Sequence, residues 1–414
     1  MSEIINEKPT GAVAVSAVEV PSSAPRNTIG QLLRGDLGFL PVLLTLIVIV
    51  AIFAFSTNGI FLEPRNLSNL MNQVSYIGVL ALGSTMVLLL GEIDLSVAVV
   101  GSLCAVVMAI FSERMGYPGS IAIILGIVAG AIVGFINGIF VAVLRVPSFI
   151  VTLAGSIGYS GLLLFLLAGQ STLIISNPLI DAIAGTSTSF LTNVQGIGLP
   201  TIALLLYIAS LIFVYVNRRR NGLKGSSLLS LIGRIVFVAV LVEGAVVLFE
   251  SYNGVPYTAA IVFGLIAIFW ILLTKTSFGR HMYAVGGNAE AARRAGINVI
   301  YIRIMAFTLC SALAAVGGII LASRSLSVQS QVPATLLLDA IAAAVIGGVS
   351  LFGGRGSVWS IVLGMLIIGS LENGLDLKSQ PVEVKEMIEG AVLLLAVTVD
   401  AVLRRIQARS ASGR

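Results

Sequence analysis

The sequence is short of charged residues. Only 10% of its 414 residues are Asp, Glu, Lys or Arg, whereas 57% are hydrophobic and the mean hydropathy is +1.05. So few charges cannot cover the surface of a water-soluble protein of this length. Apolar runs close to the ~20 residues that cross a bilayer recur along the chain. The composition therefore predicts a polytopic helical membrane protein.

Side chains that commonly carry catalysis or bind metals are also scarce. The chain has one histidine, His281, and two cysteines, Cys104 and Cys310, both in apolar runs without metal-ligand spacing. It contains no G-x-x-x-x-G-K-[ST] phosphate loop, no H-E-x-x-H helix and no Ser/His/Asp arrangement. We therefore expect no catalytic residue, no metal site and no cofactor on this chain.

The hydrophobic pattern predicts an all-α bundle of about twelve transmembrane spans within residues 39–403. Residues 1–38 are polar without a helical period and are predicted to form a disordered cytoplasmic tail, and residues 404–414 a cytoplasmic basic tail. The spans are expected near residues 39–56, 71–90, 96–111, 120–143, 148–169, 199–216, 228–250, 257–274, 302–321, 336–352, 357–371 and 387–403.

The distribution of basic residues predicts the orientation of these spans. If the N-terminus is cytoplasmic, all but five of the 24 Lys and Arg residues fall in inner segments. Those five outer residues are Arg65, Arg114, Arg324, Lys378 and Lys385. Such a bias predicts that both termini are cytoplasmic. It also explains the net charge of +5 through topology and not through nucleic-acid binding.

Residues 279–299 are the longest polar run between two apolar spans in the second half of the chain. Asn288 is predicted to cap a short helix over residues 289–295, which Gly296 ends. Glu290 and Arg294 are four residues apart and are expected to pair. Two helical turns are not stable alone in water. The segment is therefore either an ordinary solvated loop helix or a helix that docks into a groove on another protein.

Two places in the apolar chain carry carboxylates. Residues 91–96 (GEIDLS) separate two spans, and Asp94 or Ser96 is expected to cap the helix that follows. Glu243 lies within a predicted span, where an acidic group is a functional candidate by default. It would serve as a proton relay, or it is protonated or paired across a helix interface, and we favour the second interpretation.

The fourth span has a glycine every four residues, at positions 126, 130, 134 and 138. This spacing places the glycines on one face, where another helix can approach closely. Plain helix packing and a wall of a translocation path are both compatible with the pattern.

Several motifs together resemble the permease subunits of bacterial carbohydrate-uptake ABC transporters, in the ribose, arabinose and xylose branch. The matching stretches are GGNAEAARRAGINV (286–299), IDLS (93–96), VPSFIVTL (146–153), LDAIA (338–342), VIGG (345–348) and GGRGS (353–357). The resemblance covers most of residues 39–403. It implies a multi-pass protein of the bacterial inner membrane that lines a sugar pathway, while Mg-ATP binds to a partner subunit.

The resemblance also implies a role for particular residues. Residues 275–301 would form the cytoplasmic coupling loop, which contacts the ATP-binding subunit through Gly286, Gly287, Asn288, Glu290, Ala291, Ala292, Arg293, Arg294, Gly296 and Ile297. The small residues Ala291, Ala292 and Ala295 are expected to pack against that partner. Provisional residues of the translocation pathway are Glu92, Asp94, Asn137, Thr152, Asp339 and Asn373.

The same resemblance implies partners and a substrate. Residues 170–198 form the longest outer segment and are too short for a sugar-binding domain, so a separate periplasmic or lipid-anchored protein would deliver the sugar. A second copy of the chain and membrane lipid are the other expected partners. Ribose and arabinose permeases lack an insertion like residues 199–256, an extra pair of spans, whereas a D-xylose permease has one. D-xylose is therefore the expected substrate, with ribose as the alternative.

Two other classes remain open at this point. A secondary carrier would couple sugar to protons through Glu243 or Asp94. A scaffold or channel without a transport cycle would leave the coupling-like loop without a function.

Overall fold

The computed structural model describes residues 40–185, 189–222 and 227–392, together with 394, 395 and 398. Both predicted tails, residues 1–38 and 404–414, lie outside the described residues. Helices account for nearly all regular structure in the part described, which confirms the predicted all-α class. In chain order they are α1 (Leu40–Ser56), α2 (Pro64–Leu88), α3 (Val97–Ala109), α4 (Gly119–Ala142), α5 (Ser148–Leu167), α6 (Pro178–Ala184), α7 (Asn193–Arg220), α8 (Leu228–Glu250), α9 (Tyr257–Lys275), α10 (Ser277–Gly287), α11 (Ala289–Arg294), α12 (Val299–Ser325), α13 (Ala334–Ile346) and α14 (Ile361–Leu377).

Short turns complete the helical elements. A π-helical turn at Ile110–Arg114 continues α3, and 3-10 turns lie at Ile60–Leu62 and Val358–Ser360. Residues 382–392 are also helical. Proline at the first helical position begins α2 and α6, where its missing N–H has no helical partner to lose.

Four very short strands in the described part of the chain form two antiparallel pairs. Strand β1 (Thr172–Ile174) pairs with β4 (Ser327–Gln329), with Leu173 opposite Val328. Strand β2 (Phe190–Leu191) pairs with β3 (Val255–Pro256). Helix α11 lies just before the first residue of α12, and strand β4 lies just after the last residue of α12. About 40 Å of helix therefore separates α11 from the β1–β4 pair.

The core is built around α2 and α12. Every residue of the most apolar window of α2 is buried. Helix α12 packs along α2, α3 and α4, and α13 and α14 also pack against α2. Helices α7 and α8, which occupy the segment of the expected extra pair of spans, contact mainly each other and expose most of their side chains. In a membrane protein such a surface faces lipid or another subunit.

The glycine face of α4 packs against α12. A Cβ atom at Gly130 would lie 2.6 Å from the carbonyl oxygen of Ser311, and one at Gly138 would lie 2.8 Å from the Cα atom of Ile304. Both contacts are with the backbone of α12, which cannot move aside like a flexible side chain. The close-packing interpretation of the glycine pattern is therefore confirmed.

Within the described residues, nine helices are long and apolar enough to cross a membrane. Helix α13 is shorter than its predicted span: it has 13 residues, about 20 Å, and ends at Ile346 in a glycine-rich turn. The single predicted span at 336–352 was therefore wrong in its second half. Hydropathy does not distinguish the apolar turn from the helix, because both consist of small and apolar residues.

Candidate functional site

Helix α11 has the caps that the sequence predicts. The Asn288 side chain accepts a hydrogen bond from the Ala291 N–H at 2.9 Å. Gly296 has φ +84°, and the Ile297 N–H donates to the Ala292 carbonyl oxygen at 3.0 Å, which is the hydrogen bond of a Schellman motif. The helix ends at Arg294, one residue earlier than predicted. Local signals of this kind fix the two ends of a helix that is otherwise too short to persist.

The charges of α11 are paired among themselves. Glu290 contacts Arg294 at 3.2 Å, as predicted, and also Arg293 at 2.6 Å, which was not predicted. All three side chains are more than half exposed, so each pair contributes only about 0.2–0.5 kcal/mol. These pairs orient the two guanidinium groups more than they stabilise the fold.

One of the predicted surface residues is not on the surface. Ala292 is 5% exposed and belongs to the hydrophobic core of the chain itself. The expectation that Ala292 packs against a partner was therefore wrong, because α11 turns this residue toward its own chain. Ala291 and Ala295 are exposed. They are the small residues of α11 that another protein can reach.

The end of α10 meets two other chain segments through glycine. We call Gly91, Gly286, Gly353 and Gly354 the glycine junction. A Cβ atom at Gly286 would collide with the Leu89 carbonyl oxygen, and one at Gly353 would lie 2.7 Å from the Gly91 nitrogen. The Gly354 N–H donates to the Leu89 carbonyl oxygen at 2.9 Å. The three backbones are thus in direct contact, with no side chain between them.

Polar contacts strengthen this junction. Arg303, in the first turns of α12, forms a mostly buried ion pair with Glu92 at 3.2 Å. The Tyr283 hydroxyl donates to the Gly356 carbonyl oxygen at 2.9 Å. Burial raises the pKa of Tyr283, so its phenol keeps the proton that it donates. Glu92 therefore helps to attach α10 and α12 to the bundle, and it does not lie with the other provisional pathway residues.

Three provisional pathway residues do lie together in a buried network at the start of α3. Asp94 accepts hydrogen bonds from the Ser96 N–H at 2.8 Å and from the Ser96 hydroxyl at 2.6 Å. Asn137 of α4 donates to the Ser96 hydroxyl at 3.4 Å. Thr152 of α5 accepts from the Leu95 N–H at 3.0 Å. The network joins α3, α4 and α5, and Asp94 completes the turn before α3 by binding the Ser96 N–H.

The network reaches the surface of the bundle at Tyr159. Its hydroxyl, half-buried on α5, donates to the Asn137 side-chain oxygen at 2.7 Å. The sequence carried no signal for Tyr159, since an aromatic residue in an apolar helix is most often part of the packing.

Asn373 lies in a separate place. It exchanges hydrogen bonds with Asn66, at 2.9 and 3.2 Å, and donates to Gln73 at 3.4 Å. These contacts attach α14 to α2. Asn373 is 3% exposed, so in this structure its side chain is a link between helices.

Asp339 lines a cavity of about 190 Å³ between α13, α14 and the helical residues 382–392. Glu386 and Glu389 line the same cavity. Neither residue was predicted from the sequence, although a carboxylate inside or beside a predicted span is a candidate by default.

Glu243 is explained by its neighbour. The Thr201 hydroxyl of α7 donates to the Glu243 carboxylate of α8 at 3.0 Å. The interpretation of Glu243 as a residue paired across a helix interface is therefore confirmed. Among the residues that the structure describes, no group of three or more His, Cys, Asp or Glu side chains is arranged to hold a metal ion.

Comparisons with known proteins agree with one another. The family described as "branched-chain amino acid transport system / permease component" matches residues 66–397. The xylose transport system permease protein of Haemophilus influenzae is 38% identical over 364 residues, which are 87% of this chain and 95% of that protein. The corresponding Escherichia coli K12 protein is 36% identical over 360 residues, 87% of this chain and 91% of its own length. The ribose import permease protein of Bacillus subtilis is 34% identical over 358 residues, 86% of this chain and 90% of that protein. No solved structure matches the chain.

The glycine junction gives a prediction with a matched control one residue away. Gly286→Ala places a methyl group against the Leu89 carbonyl oxygen, whereas a Cβ atom at Gly287 meets nothing within 4 Å. We expect Gly286→Ala to destabilise the detergent-solubilised protein by about 1–3 kcal/mol, the usual cost of overpacking. Gly287→Ala should leave the melting temperature unchanged. Equal melting temperatures for the two variants would contradict the close contact at the junction.

Proposed function

Because the chain belongs to the family of branched-chain amino acid transport system / permease components, we propose that it is the membrane-spanning permease subunit of a bacterial ABC importer for a monosaccharide. The observation that carries the proposal is the 38% identity that extends over 95% of a xylose permease. The chain itself is not an enzyme: ATP hydrolysis belongs to an ATP-binding subunit, and a separate substrate-binding protein delivers the sugar.

D-xylose is the substrate that the relatives favour. Two xylose transport system permease proteins are 36–38% identical to this chain, against 34% for a ribose import permease and 30% for a fructose import permease. Helices α7 and α8, the expected distinguishing insertion, are present as two helices of membrane-spanning length. Ribose and fructose are the alternatives within the same family.

The proposed contact with the ATP-binding subunit is the exposed face of α11. This face combines small side chains, which allow close approach, with two arginines that Glu290 orients. Its exposed residues are Asn288, Glu290, Ala291, Arg293, Arg294 and Ala295. The end of α10, which leads into α11, is attached to the bundle through the glycine junction. A displacement of α11 is therefore transmitted to α2, α3 and α13 through a short and rigid connection.

The proposed assembly contains two copies of this chain and two ATP-binding subunits. In this assembly the two copies together enclose the central path, and lipid surrounds the outside. In the proposed orientation both termini and α11 are cytoplasmic, which agrees with the bias of Lys and Arg toward those segments.

Cysteine labelling tests this orientation. We expect Ser171→Cys, in the exposed segment before β1, to react with a membrane-impermeant maleimide on intact cells. Ala291→Cys should react only after the inner membrane is opened. The native Cys104 and Cys310 are buried and can remain as internal controls. Reaction of both introduced cysteines from outside would contradict the orientation.

Reconstitution with an ATP-binding subunit and a sugar-binding protein tests the function and the coupling surface together. In the wild-type importer, D-xylose should stimulate ATP hydrolysis and uptake more than ribose or fructose, and the complex should contain two permeases by mass. We expect Ala291→Trp to lower uptake by about tenfold or more, because an indole at the centre of an interface separates the two surfaces. The permease itself should still fold, since Ala291 is exposed.

Two further variants control the experiment. Glu290→Ala should change uptake by less than about twofold, because exposed ion pairs contribute little. Ala292→Trp should reduce the amount of folded permease, since that residue lies in the core. Normal uptake by Ala291→Trp with its ATP-binding subunit attached would exclude α11 as the coupling helix. The absence of sugar uptake by the wild-type assembly would exclude the proposed function itself.

A further inference from the structure

Two helix faces with polar residues meet across the cavity beside α13. Thr335, Asp339 and Ala342 lie four and three residues apart, on one face of α13. Glu386 and Glu389 lie on one face of the last described helix, and the buried Ile368 of α14 closes the cavity from the side. The cavity is thus lined by three carboxylates and one apolar wall.

Asp339 is the unusual member of this set. It is only 8% exposed, and in the described part of the chain no hydrogen bond or ion pair reaches its carboxylate. Buried polar groups in proteins are almost always hydrogen-bonded, and acidic side chains at membrane depth face a water-filled path or a protein partner. Asp339 therefore points to a ligand that occupies the cavity for part of the functional cycle.

The chemistry of the lining favours a neutral polyol. A carboxylate accepts hydrogen bonds readily, so the hydroxyl groups of a sugar satisfy several acceptors without bringing another charge into the cavity. Ile368 and Ala342 offer an apolar surface to the C–H face of a ring. A metal ion fits less well, because the described acidic side chains do not form a group of three that could hold one. The volume of about 190 Å³ is small and suits one monosaccharide unit.

We propose that this cavity is a monosaccharide subsite of the translocation pathway, in which Asp339, Glu386 and Glu389 accept hydrogen bonds from sugar hydroxyls. The proposal rests on the proposed function and adds a location to it. Helix α13 carries Asp339 and ends in the turn that leads to Gly353 and Gly354 of the glycine junction. Asp339 and the end of α13 at Ile346 are about 10 Å apart along the helix. One short rigid element therefore links the sugar subsite to the attachment of α10.

Gly390 allows the cavity to be filled without disturbing the fold. It lines the cavity, and a Cβ atom placed there meets nothing within 4 Å. The assay is uptake by the importer reconstituted with its ATP-binding subunit and binding protein. We expect Gly390→Leu to reduce D-xylose uptake by about tenfold or more relative to the wild type. This factor corresponds to the loss of one hydrogen bond to a charged group. Gly390→Ala, which adds only one methyl group, should reduce uptake less than Gly390→Leu does.

The acidic residues give a second set of variants. Asp339→Asn and Glu389→Gln should each reduce uptake, while the melting temperature and the attachment of the ATP-binding subunit stay unchanged. Glu383→Gln is the matched control, because Glu383 lies on the same helix as Glu389 but is exposed and outside the cavity. Binding of sugar in the cavity can be measured directly by protection of its carboxylates from chemical modification. D-xylose should slow the reaction of Asp339 and Glu389 with a hydrophobic carbodiimide, measured by mass spectrometry, and should not protect Glu383.

Each result decides the proposal. Normal uptake by Gly390→Leu and Asp339→Asn, in an assembly whose wild-type form transports D-xylose, would overturn the subsite and leave the proposed function intact. Protection by sodium or calcium ions and not by sugar would also overturn it and assign the cavity to a cation. A wild-type assembly that transports no sugar would instead overturn the proposed function, and sugar protection of Asp339 in the purified permease would then be absent as well.

Discussion

Direct backbone contact at the glycine junction is the constraint on which the rest of the structure depends. Leu89 at the end of α2, Gly286 at the end of α10 and Gly354 in the turn before α14 approach so closely that a single methyl group would separate them. Side chains in a packed interface can shift rotamer, but three backbones in contact transmit displacement with little loss. The exposed face of α11, one residue beyond α10, is therefore attached to the centre of the bundle by a rigid connection.

Two short elements carry this connection toward the candidate pathway. The segment that holds Glu92 and Asp94 leaves the junction and leads to α3, whose first residues join α4 and α5 through the buried Asp94 network. Helix α13 carries Asp339 at the cavity and ends at Ile346, and the turn after it leads to Gly353 and Gly354 of the junction. Helix α13 has only 13 residues, so it positions Asp339 inside the bundle without crossing it fully.

The accuracy of the sequence-based predictions follows the range of the interactions. The caps of α11 at Asn288 and Gly296, and the pair between Glu290 and Arg294, were predicted because they depend on residues within one or two turns. The burial of Ala292 depends on how α11 packs against the helices on either side of it in the chain. The different surroundings of Gly286 and Gly287 depend on Leu89, which lies roughly two hundred residues earlier in the sequence. Hydropathy also merged α13 with the turn after it and hid Glu386 and Glu389 at the edge of an apolar span, because it averages over residues that the fold places in different surroundings.

If the glycine junction is rigid, α11 and the turn at residues 353–357 move as one unit when ATP binds. Paired spin labels at Ala291→Cys and Arg355→Cys, both exposed, measure this distance in the reconstituted importer, since the buried native cysteines do not interfere. A rigid junction predicts the same distance distribution without nucleotide and with ATP bound, while the distance between labels at Ala291→Cys and Ser171→Cys changes. A shift between Ala291→Cys and Arg355→Cys on ATP binding would contradict the rigid junction.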